Sequence, residues 1–157
     1  MKEADVAPIV ERVLHPGVLE KLPIAAITDA LNCHGVREVH AAFAPAGTYH
    51  SGVPKDLWFA CDVGLLYCTL NGGGSDALAL IGDLTAWRDV RDVELGSRIA
   101  RVPEDAEVDP TAREVTEMHL LIQVPRIDVY VYGTDETGRL GAFAREVLLR
   151  YSGVGAR

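Results

Sequence analysis

Apolar positions in the first part of the chain recur at helical spacing. Val6, Ile9, Val10, Val13 and Leu14 form a stripe over Asp5 to Leu14, with Pro8 tolerated in the first turn, where a missing N–H costs little. Pro16-Gly17 is expected to stop this helix. A second helix is expected from Pro23 to His34, where Ile24, Ile27, Ala30 and Leu31 share a face and Gly35 stands at the left-handed C-terminal cap. From Val36 onward the pattern shortens to strand alternation. Val39, Ala41 and Phe43 mark a first strand, followed by the turn-rich stretch around Pro45, Gly47, Gly52 and Pro54.

Two hairpins dominate the middle of the chain. Leu57 to Leu70 reads as a hairpin turning at Val63-Gly64. That turn pairs Cys61 with Leu66, Phe59 with Cys68 and Leu57 with Leu70 on one face, and puts Trp58, Ala60, Tyr67 and Thr69 on the other. Short strands are expected at Ala77–Ile81, Val90–Leu95 and Arg98–Val102, and an exposed acidic loop at Pro103–Arg113. The second hairpin joins Val115–Val124 to Ile127–Tyr132 through Pro125-Arg126. Met118, Leu120, Ile122 and Val124 share a face with Ile127, Val129 and Val131, while His119, Leu121, Gln123, Asp128, Tyr130 and Tyr132 fall on the other. After a turn at Gly133–Gly138, Leu140, Phe143, Ala144, Val147, Leu148 and Tyr151 form the stripe of a last amphipathic helix ended by Gly153.

The expected fold is α+β: one antiparallel, barrel-like or strongly bent sheet of about seven strands with a C-terminal capping helix and two short N-terminal helices. The 157 residues are expected to form a single domain, with a helical segment over 1–35, a β-rich core over 36–132 and a final helix over 134–152.

Composition narrows the function. Apolar residues make up 48% and charged residues 24%, a globular balance able to build a core without metal or disulfides. The net charge of −8 repels phosphate backbones and anionic lipid surfaces, so neither nucleic acid nor membrane is expected as a partner. Three cysteines, Cys33, Cys61 and Cys68, make no CxxC pair, and their odd number argues against a disulfide framework. With an N-terminus that lacks a basic-then-apolar leader and no apolar run of roughly 18 residues, the expected location is the cytoplasm.

The order of strands and terminal helix from Val39 to Tyr151 resembles the pleckstrin-homology-like superfold, particularly its bacterial and GRAM-type members. The carrying segments are Cys61-Asp62-Val63-Gly64-Leu65-Leu66, Trp87-Arg88-Asp89-Val90 and the helix with Phe143 and Leu148. Lipid-binding members resemble one another in a basic cluster beside the first hairpin. Here Lys55 stands there with Asp56 and Asp62, so the resemblance does not imply phosphoinositide binding.

No catalytic motif is complete, and no cofactor or metal is expected. Cys33, His34, His40 and His50 match no zinc spacing. Cys61 and Cys68 fall on an apolar face and read as inert core thiols. Asn71-Gly72-Gly73-Gly74-Ser75-Asp76 lacks the Lys and helix start of a phosphate loop, and Ser75 lacks a nucleophile elbow. Asp83, Asp89, Asp92 and Glu94, interleaved with Arg88 and Arg91, read as a solvated face. The informative set is Trp58, Tyr67, His119, Tyr130 and Tyr132. These lie on the second faces of the two hairpins, either beneath the N-terminal helices or as a ligand or partner contact surface. The favoured expectation is a non-enzymatic interaction or adaptor module that contacts a protein partner or a second copy. The alternative is a small enzyme or small-molecule-binding protein with its pocket near His119, and with His119, Tyr130 and Tyr132 as acid–base candidates.

Overall fold

The protein is represented by a computed structural model that describes residues 1–14, 16–45, 49–50, 53–54, 56–72, 78–99, 116–124, 127–134 and 139–155. The chain opens with three helices, α1 (Glu3–Val10), the single-turn α2 (Pro16–Leu19) and α3 (Ile24–Cys33). Two were expected. Pro16 does not act as a stop but opens α2, since proline at a first helical position gives up an N–H that would be unbonded anyway. The cap of α3 is as expected: Gly35 takes φ +73°, and the Gly35 and Val36 amides donate to the Asn32 and Leu31 carbonyls.

The strands are β1 (Val39–Phe43), β2 (Tyr49–His50), β3 (Val53–Pro54), β4 (Asp56–Cys61), β5 (Gly64–Gly72), β6 (Leu78–Ala86), β7 (Asp92–Ile99), β8 (Thr116–Val124) and β9 (Ile127–Thr134). They form a four-stranded antiparallel sheet in the order β1-β4-β5-β6, a three-stranded sheet β7-β8-β9 and the small ribbon β2-β3. The sheet is therefore divided, and among the described residues no closed barrel forms. The break falls at a 3-10 turn, Trp87–Asp89, inside the stretch whose periodicity fits helix and strand alike. The Trp87 indole N–H donates to the Cys61 carbonyl at 2.8 Å in a buried setting, pinning the turn between the sheets.

The first hairpin keeps its expected faces but not its register. Leu57 pairs with Cys68, Phe59 with Leu66 and Ala60 with Leu65, so Asp62-Val63 makes the turn. A slip of two residues preserves which side chain faces which way, and face periodicity alone does not detect it. Gly64 serves a different purpose from the one expected. A Cβ there would collide with the Thr85 carbonyl of β6, so the glycine permits close strand approach. Asp62 ties the turn to the entry of β1, accepting from the Arg37 and Glu38 amides at 3.1 and 3.3 Å.

The four-stranded sheet is the middle layer. Leu57, Phe59, Cys61, Leu66 and Cys68 meet the N-terminal helices through Val6, Val10, Ile27 and Leu31. Trp58, Ala60 and Leu65 meet the second sheet and the last helix, α4 (Arg139–Gly155), through Leu120, Ile122, Phe143 and Val147. Burial on both faces explains why β4 reads as one apolar run.

In the second sheet, β7 runs unbroken through Gly96 where two strands were expected; residues 100–115, with the predicted end of that strand and the acidic loop, lie outside the described residues. The second hairpin has its expected register, Val124 opposite Ile127 and His119 opposite Tyr132. The last helix begins at Arg139 and continues through Gly153, which does not end it.

Candidate functional site

The five aromatic and histidine positions singled out from the sequence are divided between the two sheets. Trp58 is 7% exposed and stacks on the partly buried Tyr67, with ring centroids 4.3 Å apart and planes inclined by 27°. The Tyr67 hydroxyl donates to Asp56 Oδ1 at 2.6 Å. Burial, and then that hydrogen bond, push its pKa above the ordinary tyrosine value. This pair belongs to the core beneath α4. The N-terminal helices, expected to cover it, pack on the opposite face of the sheet.

His119 sits in the other sheet, half-buried, with its imidazole lying over Gly96 so closely that a Cβ at Gly96 would overlap the ring. The register places Tyr132 opposite His119 and Tyr130 opposite Leu121. Cys61 and Cys68 are buried, and burial pushes both thiols up to about 12, helped at Cys61 by the neighbouring Asp62 and Cys68. The thiolate required of a nucleophile or metal ligand is thus disfavoured at both.

Other sequence candidates disperse. His34 lies against Gly82 of β6, whereas His40 has its Nδ1 3.4 Å from Glu38 Oε1. Cys33 is exposed. Among the described residues no three His, Cys, Asp or Glu side chains are grouped to hold a metal ion. Asp83, Asp89, Asp92 and Glu94 are all exposed. Residues 73–77 of the glycine-rich loop lie outside the described residues.

The structure adds a feature that sequence patterning missed. In the three-stranded sheet β7 pairs with β8 on one side only, so among the described residues its other edge has no strand neighbour. Beside that edge, between β7 and α4 from Gly141 to Ser152, runs an open groove of about 650 Å³. Val93, Leu95, Leu148, Leu149 and Tyr151 line it, with Arg145 on its rim. Leu95 is 41% and Leu149 57% exposed, two of the three large apolar side chains left in water among the described residues. The Tyr151 hydroxyl donates to the Arg91 carbonyl at 2.8 Å and fixes α4 against the start of the strand. Leu149 lies off the core stripe of α4, and that was the one sequence signal available. Its meaning depends on β7 being its neighbour.

His119 does not line this groove. No described helix is long and apolar enough to cross a membrane. No protein-family model, curated protein or solved structure matches this chain.

Proposed function

We propose that the chain is a non-enzymatic protein-interaction module that takes an extended segment of a partner protein along the β7 edge. The observation that carries this reading is the combination of a β7 edge with no strand neighbour among the described residues and exposed Leu95 and Leu149 in the groove beside it. An open edge offers unpaired N–H and C=O groups to an incoming strand, and the groove offers purchase for alternate apolar side chains. Arg145 on the rim favours a segment that carries an acid near one end. Three free thiols favour a reducing compartment such as the cytoplasm.

The enzyme reading has less support, because the imidazole of its leading candidate, His119, covers Gly96 and lines neither this groove nor the cleft beside β1.

The test is selection of peptides from a displayed random library on the full chain, followed by affinity measurement. Leu95→Asp and Leu149→Asp are expected to weaken selected peptides at least roughly tenfold with melting unchanged. Hydrogen exchange should show new protection along β7. Peptides that bind both variants as tightly as the parent chain would sink the proposal. Light scattering of the parent chain reports whether a second copy takes the same edge.

A further inference from the structure

On the other side of Arg145, which also lines that groove, we infer that a cleft at the β1 edge binds the phosphate group of a small organic phosphate monoester. The cleft measures about 420 Å³ and lies between the end of α1, β1 and the first turns of α4.

Its charge runs against that of the molecule. The chain carries −8, yet Arg12, Arg139 and Arg145 all line this cleft, with Glu146 as the one carboxylate among the lining residues. Glu146 is shared with Arg150, 3.9 Å away. Among the described residues no carboxylate lies within ion-pair distance of Arg12, Arg139 or Arg145. Arg139 is held in place by a long hydrogen bond, 3.4 Å, from Nη1 to the Val13 carbonyl. Arginines lining one cleft without acidic partners raise its positive potential, which an anion bound there would neutralise. The cleft also opens beside the first two turns of a 17-residue helix, the positive end of its dipole.

An independent feature lies in the floor. The pairing of β1 with β4 shifts between Val39 and Ala41, which makes His40 the extra residue of a bulge. Bulges re-aim a side chain out of the regular alternation. The His40 side chain is 9% exposed, and its Nε2 is buried without a hydrogen-bond partner. A buried ring nitrogen without a partner calls for a physical reason, and a ligand in the cleft that His40 lines would supply one.

The chemistry of the walls selects the ligand. Three guanidiniums suit a tetrahedral dianion with three terminal oxygens better than a planar carboxylate with two. Ile9, Val13, Ala42 and Phe143 give the rest of the cleft an apolar lining, which suits a compact organic body attached to the phosphate. The volume falls in the range of small-molecule sites, and the overall charge disfavours nucleic acid or an anionic membrane as the source.

Calorimetry on the full chain with phenyl phosphate, inorganic phosphate and phenol tests this. Phenyl phosphate is expected to bind more tightly than inorganic phosphate, and phenol not at all. Arg12→Gln combined with Arg139→Gln should weaken phenyl phosphate at least roughly tenfold. Both arginines are exposed, so the variant should melt as the parent does. With ¹⁵N-labelled histidine, the His40 Nε2 resonance should move on titration. No binding of millimolar phenyl phosphate, equal binding by phenol, or full affinity in the double arginine variant would overturn the inference. A phosphoserine peptide that binds more tightly than phenyl phosphate would overturn the small-molecule assignment.

Discussion

The Tyr151 hydroxyl donates to the Arg91 carbonyl at 2.8 Å, across sixty positions of sequence. This bond ties the far end of α4 to the residue just before β7, beside the groove between them. Tyr151→Phe keeps the ring and removes the bond. The expected loss is about 0.5–1.5 kcal/mol by urea denaturation, together with faster hydrogen exchange in the last turn of α4. Unchanged exchange there would show that packing alone holds the helix end.

His119 and Gly96 face one another in the β7–β8 register, with the imidazole filling the space where a side chain at position 96 would begin. Gly96→Ala should therefore cost roughly 1–2 kcal/mol, because the ring must leave its place. In a His119→Ala background the same substitution should be neutral or slightly favourable, giving a coupling of about 1–2 kcal/mol in a double-mutant cycle. Additive effects would contradict the contact.

Two other glycines should respond in opposite directions. At Gly64 an added methyl meets backbone atoms of Thr85 and Ala86, which cannot swing aside. Gly64→Ala is expected to destabilise by about 1–3 kcal/mol. Gly153 lies within α4 with open space around it, and Gly153→Ala should stabilise by roughly 0.5–1 kcal/mol through helix propensity. Thermal melts of the two variants, shifted to either side of the parent, are the check.

The buried thiols make stability depend on alkaline pH. Cys61 and Cys68 ionise near 9.0 when unfolded and near 12 when folded, so between those values the unfolded chain releases protons that the folded one keeps. Their contribution is complete below about pH 9 and is lost as pH rises toward 12, at a slope approaching roughly 1 kcal/mol per pH unit for each thiol. Denaturation measured across this window should show a slope that Cys33→Ala leaves intact and that Cys61→Ala with Cys68→Ala flattens. In the folded protein at neutral pH, Cys33 should be the thiol that reacts with Ellman's reagent, since it is the exposed one.

Local pattern made much of the fold legible. The helical stripes of Val6, Val10, Ile27 and Leu31, and of Leu140, Phe143 and Val147, are all buried as their spacing requires. The second hairpin could be read to the residue, because a two-residue link at Pro125-Arg126 leaves one register that keeps Leu120 and Ile122 on the core side. The first hairpin could not. Both of its faces are apolar and buried, so a shift of two positions changed no burial pattern and hid the turn at Asp62-Val63. The same ambiguity concealed which layer covers Trp58 and Tyr67.

Spacing and charge within a few turns or strands made most element types, their inward faces and the acidic balance readable, though not the helix at Pro16–Leu19 or the turn at Trp87–Asp89. Tertiary structure alone decided that the strands part at Trp87 into two sheets, that α4 rather than the N-terminal helices shields Trp58, and where the two depressions lie. The groove joins Leu95 to Leu149, and the cleft joins Val13 to Arg139. Such neighbours meet only when distant segments pack, and no periodicity measured along the chain encodes the distance between them.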